Sequence, residues 1–275
     1  PASLTVAVND ITSGTASMTV TNDNSCIGSC DGAATVTLVG VSLPAAFVWN
    51  QGDILTGNSN TLTLSNTGLC VGLVSIVITD NDGCIINTDA TIVDPVALVI
   101  NSSFLAATCF GDTDGSVSTV VTGGTSANGT YSYNWIDQSD LSNVGTTSTV
   151  PGLGIGEYCV VATDDLNCPT IESCVTITEP TAIDVPTSAI ASSCGQSDGS
   201  VTVGSITGGS GNYVTYSWVN QLTSANVGAT SSVFLLPAGT YEVTVTDDAG
   251  CIGIGLATIS DLTGPSITKG TNVPV

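Results

Sequence analysis

Apolar and polar positions alternate with period two over short stretches of the whole chain, and an apolar stripe at helical spacing is absent. Tyr241-Glu242-Val243-Thr244-Val245-Thr246 is the clearest case, with every second side chain aromatic or β-branched. That alternation suits a strand with one buried face. Tyr158–Thr163 and Val74–Thr79 carry the same signal, and further strands are expected at Ser200–Ser205, Val214–Val219, Ser232–Leu236 and Gly255–Ser260. Short strands about 8–12 residues apart with Gly-rich turns predict an all-β fold of immunoglobulin-like β-sandwiches. Each expected sandwich holds one tryptophan (Trp49, Trp135, Trp218), read as core packed near an inter-sheet disulfide. Tyr158 and Tyr241 follow Gly-rich corners and are expected to form tyrosine corners; Val74 stands at that place in the first unit.

The pattern comes in three copies, and a fixed period decides architecture before any local reading does. Prolines at Pro1, Pro95, Pro180 and Pro265 mark the seams. The expected repeats are 1–94 (the divergent one), 95–179 and 180–264. Residues 265–275 read as the start of a further repeat or as an inter-subunit strand. No signal peptide is visible at Pro1, and the expectation is that an export signal was removed or lies upstream.

Ten cysteines occupy matched positions. Cys26 and Cys84, Cys109 and Cys168, and Cys194 and Cys251 lie nearly the same distance apart in their repeats. Each first member precedes an Asp-Gly step (Asp31-Gly32, Asp114-Gly115, Asp198-Gly199), and each second closes a turn opened by Thr-Asp. The expectation is one repeat-closing disulfide per unit: Cys26–Cys84, Cys109–Cys168 and Cys194–Cys251. A hairpin closed near Asn167 sets Cys159 opposite Cys174, which leaves Cys30 to pair with Cys70. All ten then pair inside their own repeats. A closed loop of ~58 residues contributes about 4 kcal/mol in the chain-entropy model. Matched, even-numbered cysteines indicate an oxidising, extracellular setting. Thiolate zinc sites need close clusters or histidine partners; Cys26-Ile-Gly-Ser-Cys30 is a close pair with no second pair at zinc-finger spacing, so zinc is not expected.

The formal net charge is −22, from 23 acidic residues and one basic residue, with no histidine. Nucleic-acid binding needs Lys and Arg to displace counterions, so that partner is excluded, and an anionic membrane surface is disfavoured. No apolar run approaches the ~20 residues of a membrane-spanning helix. Without histidine and without a free thiolate, acid–base and nucleophilic catalysis lack their usual groups, so no enzymatic activity is expected. Calcium is the one cofactor the sequence suggests. Asp80-Asn81-Asp82-Gly83 and Asp112-Thr113-Asp114-Gly115 set oxygen ligands two residues apart, with Asp80, Asp82, Asp112 and Asp114 as candidate ligands. The competing explanation is Asx-turn chemistry.

The third unit reads Cys194, Asp198-Gly199-Ser200, Gly208-Gly209, Tyr216-Ser217-Trp218, Leu236, Gly239-Thr240-Tyr241, Val243-Thr244-Val245-Thr246-Asp247, Gly250-Cys251, Pro265. This order resembles the SprB-type repeat of very large Bacteroidota cell-surface adhesins, including those moved along the cell in gliding. The resemblance implies type IX secretion, a place on the cell surface and a role in adhesion. The expected function is an extracellular structural or adhesive segment whose partners are other repeats, copies of itself, or surface glycans. The alternatives are a self-polymerising filament subunit using strand addition and a carbohydrate-binding module of a secreted enzyme.

Overall fold

Wherever side chains alternate, the chain is extended and one face of the strand is inside. A computed structural model describes residues 14–51, 56–59, 61–125, 129–262 and 264. Every regular element in them is a β-strand.

The strands fall into three pairs of sheets. In the first, β1 (Thr15–Asn22), β2 (Gly32–Val39) and β5 (Thr63–Leu69) face β3 (Ala45–Trp49), β4 (Thr56–Ser59), β6 (Gly72–Thr79) and β7 (Ile85–Ile92), in the orders β1-β2-β5 and β4-β3-β6-β7. The second uses β8 (Val99–Leu105), β9 (Gly115–Thr122), β10 (Ser132–Asp137), β11 (Asn143–Gly145), β12 (Thr149–Leu153), β13 (Gly156–Thr163) and β14 (Ser173–Ile177) as β12-β9-β8 and β11-β10-β13-β14. The third has β15 (Thr187–Ile190), β16 (Ser192–Ser193), β17 (Gly199–Val203), β18 (Tyr213–Asn220), β19 (Asn226–Gly228), β20 (Ser232–Leu236), β21 (Gly239–Asp247), β22 (Ile252–Ile259) and β23 (Asp261–Leu262). Its main sheets are β15-β17-β20 and β19-β18-β21-β22, and β16 adds a short parallel pairing with β23. In the first and third, a three-stranded sheet packs over a four-stranded one, with β1 against β7 and β15 against β22; seven main strands in this arrangement make the immunoglobulin-like sandwich, and the second set has the same two strand orders.

Compactness divides the chain differently, into Pro1–Asn101 with Thr119–Trp135 and Val160–Ser173, and Ser102–Ser118 with Ile136–Cys159 and Cys174–Val275. The cut passes through strands of the middle repeat. Residues 265–275, expected to begin a further repeat or to serve as an inter-subunit strand, lie outside the described residues.

Alternation accounts for the core. Along β21, Tyr241, Val243 and Val245 are buried while the residues between them are not. Trp49, Trp135 and Trp218 are each almost wholly buried. Their burial requires no inter-sheet cystine: none of the four disulfides links the two sheets of a sandwich. Tyr158 Oη donates to the Gly154 carbonyl at 3.2 Å and Tyr241 Oη to that of Pro237 at 2.9 Å, so both corners form. The Gly-Gly step after the second strand has a packing reason. A Cβ on Gly208, whose φ is +87°, would overlap the Ala182 carbonyl, and one on Gly209 would crowd Asp247 Oδ2 and Ile183. Only glycine lets the chain that enters the repeat lie this close to that corner.

Candidate functional site

The sites that distinguish this chain are its cysteine-bearing loops. Each repeat has two kinds. The first joins the first two main strands and carries Cys26, Cys109 or Cys194. The second is the tight turn before the last main strand and carries Cys84, Cys168 or Cys251.

The turn is clamped by an aspartate at its first position. The strand's alternation carries on one step past Val245, so Asp247 falls on the inward face and is 2% exposed. Its Oδ1 accepts from the amides of Ala249 (3.0 Å) and Cys251 (2.8 Å), and its Oδ2 from the Ser210 amide (2.7 Å). Asp164 does the same with Leu166, Cys168 and Thr125. Asp80 holds Asp82 and Cys84. The donors that meet these carboxylates among the described residues are backbone amides, joined at Asp164 by the Thr125 hydroxyl. The Ser210 amide leads the hydrogen bonds that hold Asp247 below the ordinary carboxylate value. For Asp164, burial pushes upward, but the donors from Thr125, Cys168 and Leu166 outweigh it and the carboxyl is again lowered.

The first loop is also held by acids. Asp31, Asp114 and Asp198 accept from the amide just before the cysteine: Ser25 (3.0 Å), Thr108 (2.8 Å) and Ser193 (2.7 Å). Hydrogen bonds from Ser25, then Ser29, pull Asp31 down to about 2. An acid at the repeat's end grips the loop's other side: Asp94 takes the Gly28 amide, Glu179 that of Gly111, and Asp261 that of Gly195. The acids at the seams are therefore parts of cysteine loops.

The cysteines pair differently from the expectation. Cys26 bonds to Cys168 and Cys109 to Cys251, each across 142 residues, with Cα–Cα separations of 5.5 and 5.4 Å. Cys84 and Cys194 are free thiols. The expected Cys26–Cys84, Cys109–Cys168 and Cys194–Cys251 bridges are thus corrected: the loop cysteine of one repeat joins the turn cysteine of the next. The reason is where each lies along the sandwich. Cys251 immediately precedes β22, whereas the Cys194 amide donates to the Leu262 carbonyl, beyond that strand's far end. In the first repeat Cys84 immediately precedes β7, and the loop of Cys26 is tied to Asp94, beyond β7. An eight-residue strand is about 26 Å long, while a disulfide needs Cα atoms roughly 4.4–6.8 Å apart. The two further bridges, Cys30–Cys70 and Cys159–Cys174, are present.

Each junction disulfide lies beside a cleft. One of about 370 Å³ is lined by Ile27, Val96, Leu98 and Ile171 near Cys26–Cys168. The other, about 530 Å³, is lined by Phe110, Ala182, Ile183 and Ile254 near Cys109–Cys251.

The four aspartates expected as calcium ligands are engaged in these turns. Asp80 Oδ1 and Asp114 Oδ1 accept the amides described above, Asp82 Oδ2 accepts from Ser42 Oγ, and Asp112 is exposed with its amide donating to the Cys109 carbonyl. Among the described residues, the one group of three potential metal ligands within reach of each other is Cys159, Glu172 and Cys174. Both of those cysteines are in a disulfide, which leaves one carboxylate.

Residues 107–140 match the SprB repeat. The matched stretch holds Cys109, Asp114-Gly115, Gly123-Gly124 and Trp135, that is, a cysteine loop, the glycine step and the core tryptophan of one SprB-type repeat. No curated protein matches the chain in sequence. Among solved structures it is similar to a 1.5-MDa bacterial ice-binding adhesin (15% identity, 90% of this chain and 96% of that one, TM-score 0.47). It is also similar to three N-terminal domains of the highly immunogenic outer capsid protein of bacteriophage RB49 (14%, 91% and 100%, 0.42). A third is the N-terminal eight immunoglobulin domains of the Down syndrome cell adhesion molecule (14%, 91% and 37%, 0.37).

The clamp gives a pH prediction with a definite sign. A carboxyl lowered in the folded state contributes stability that is present above its unfolded value and lost as pH falls through the folded one. Asp247→Asn places an NH₂ group against the Ser210 amide. It should therefore lower the melting temperature by several degrees at pH 7. The deficit should stay constant down to the ordinary value of 3.8 and shrink below it, as the wild-type carboxyl is itself protonated. Comparing the two proteins cancels the general relief of repulsion that acid brings to so acidic a chain. Melting curves between pH 7 and 2 check this; a deficit that grows in acid refutes the clamp.

Proposed function

We propose that the chain is a non-catalytic, extracellular run of SprB-type repeats in a cell-surface adhesin, built to carry tension between an adhesive surface and the cell. The pair of junction disulfides supports this reading most. A peptide linker alone joins neighbouring domains through one backbone strand and leaves them free to swivel. A cystine beside the linker adds a second covalent connection and restrains that freedom. Disulfides of this kind persist in oxidising compartments. High net negative charge keeps such a chain soluble and apart from its neighbours. The SprB repeat match extends the proposal to a bacterial surface, type IX export and gliding-type adhesins, with surface glycans as the ligand class.

An antibody against residues 95–264 should label intact, unpermeabilised cells of the source organism. An in-frame deletion of those residues should weaken surface attachment without stopping export. Labelling only after permeabilisation, or attachment unaffected by the deletion, overturns the proposal.

A further inference from the structure

The two junction disulfides leave one cysteine of each kind unpaired: the turn cysteine of the first repeat, Cys84, and the loop cysteine of the third, Cys194. Neither is an isolated thiol on a surface. Cys84 sits in the same clamped turn as Cys168 and Cys251, with Asp80 accepting its amide at 2.7 Å. Cys194 sits in the same acid-held loop as Cys26 and Cys109, between Asp198 and Asp261. In this structure both other members of each class are covalently paired, always loop to turn and always to the following repeat. Burial separates paired from unpaired members. The paired turn cysteines Cys168 and Cys251 are 7% and 5% exposed, whereas Cys84 is only partly covered. Cys26 and Cys109 are partly covered, whereas Cys194 is exposed.

We infer that Cys84 and Cys194 are the open halves of two more staples. Cys84 takes the loop cysteine of a preceding repeat of this build, and Cys194 takes the turn cysteine of a following one. The partner is the complementary cysteine loop of another SprB-type repeat, supplied by the same polypeptide or by a second copy. The joining step is an oxidation. Two thiols give up two protons and two electrons and form one S–S bond, while a disulfide oxidant accepts them and leaves as two thiols. Because loop pairs with turn, the joining is head-to-tail, and a contact of that kind propagates rather than closing as a symmetric dimer. The inference rests on the proposed function only for its oxidising setting, and the test in solution is independent of adhesion.

The test uses the 275-residue protein, with its four disulfides intact, as an equal mixture of ¹⁴N- and ¹⁵N-labelled chains exposed to glutathione disulfide. Expected is a ladder of covalent oligomers on a non-reducing gel, with Cys84–Cys194 linked peptides carrying both labels. Cys84→Ser and Cys194→Ser chains should each stay monomeric alone and give only dimers when mixed. Both remove a free thiol, and circular dichroism checks that each variant folds. Wild-type chains that stay monomeric, single variants that dimerise like-with-like, or an 84–194 bridge within one chain each overturn the inference. On native material, the peptide linked to Cys194 identifies the source of the partner, and a Cys194 found as a free thiol there also refutes it.

Discussion

Pulled from its two ends, a chain stripped of its two within-repeat bridges should lengthen on reduction in two very unequal steps, roughly 80 Å and then roughly 500 Å, at ~3.3–3.6 Å per extended residue. The inequality follows from how the junction disulfides overlap. With both intact, the shortest covalent route crosses from Cys26 to Cys168, runs back to Cys109, and crosses to Cys251, so it contains the stretch between Cys109 and Cys168. Breaking either bond exchanges that stretch for a moderately longer one, from Cys26 to Cys109 or from Cys168 to Cys251. Breaking the second releases the 142 residues that it spanned. Repeat-closing disulfides would instead give three similar steps of roughly 200 Å each. The stripped chain carries alanine at Cys30, Cys70, Cys159 and Cys174, because those two bridges otherwise offer shorter routes through the first and second repeats. Force-clamp records in the presence of a thiol reductant make the measurement. Three equal steps would restore the pairing that spacing alone suggests.

Spacing alone suggests the wrong pairing because it is degenerate. In a tandem array, a cysteine matched in every repeat satisfies a partner in its own repeat and one in the next equally well. What breaks the tie is parity. An odd number of strands between two loops puts them at opposite ends of a sandwich, and an even number puts them at the same end. The alternation in the third repeat reveals β17, β18, β20 and β21 between the loop of Cys194 and the turn of Cys251, an even set. The missing member is β19, three residues long (Asn226–Gly228), too short to show a period. Its counterpart β11 is equally short. With β19 counted, five strands separate the loop of Cys194 from the turn of Cys251, and the two lie at opposite ends of the sandwich.

The rest of the sandwich was legible because burial imposes its period on every long strand, and the tyrosine corners and core tryptophans follow from residue type. The clamp was half legible. Asp and Asn in a turn announce turn chemistry, but only the inward parity of Asp164 and Asp247, counted from Tyr158 and Tyr241, shows that these carboxylates are buried. That signal lay in the sequence. The reach to Thr125 and Ser210 did not, since it depends on how the glycine step folds against the turn.

Cys26→Ala and Cys168→Ala should each destabilise the protein by about 5 kcal/mol, the chain-entropy value for a closed loop of 142 residues. The double variant should be no worse than either single one. Two residues that act only through a shared bond lose it once, so their effects cannot add. Cys26→Ala combined with Cys109→Ala breaks two separate bonds and should approach the sum. Cys84→Ala removes a thiol with no partner and should shift the denaturation midpoint hardly at all, within the ~0.5 kcal/mol typical of a surface substitution. That last variant is the most discriminating of the set. A repeat-closing Cys26–Cys84 bridge would make it as damaging as Cys26→Ala, because both would remove the same bond, and the loss would still be about 4 kcal/mol because the entropy of closing a loop grows only with the logarithm of its length. Urea denaturation followed by tryptophan fluorescence separates the cases, since the repeats hold one buried tryptophan each. The cost should fall on the repeats that the broken staple joined: losing Cys26–Cys168 loosens the surroundings of Trp49 and Trp135 before those of Trp218. A staple between repeats makes each one's resistance to unfolding depend on its neighbour, which a string of individually closed domains would lack.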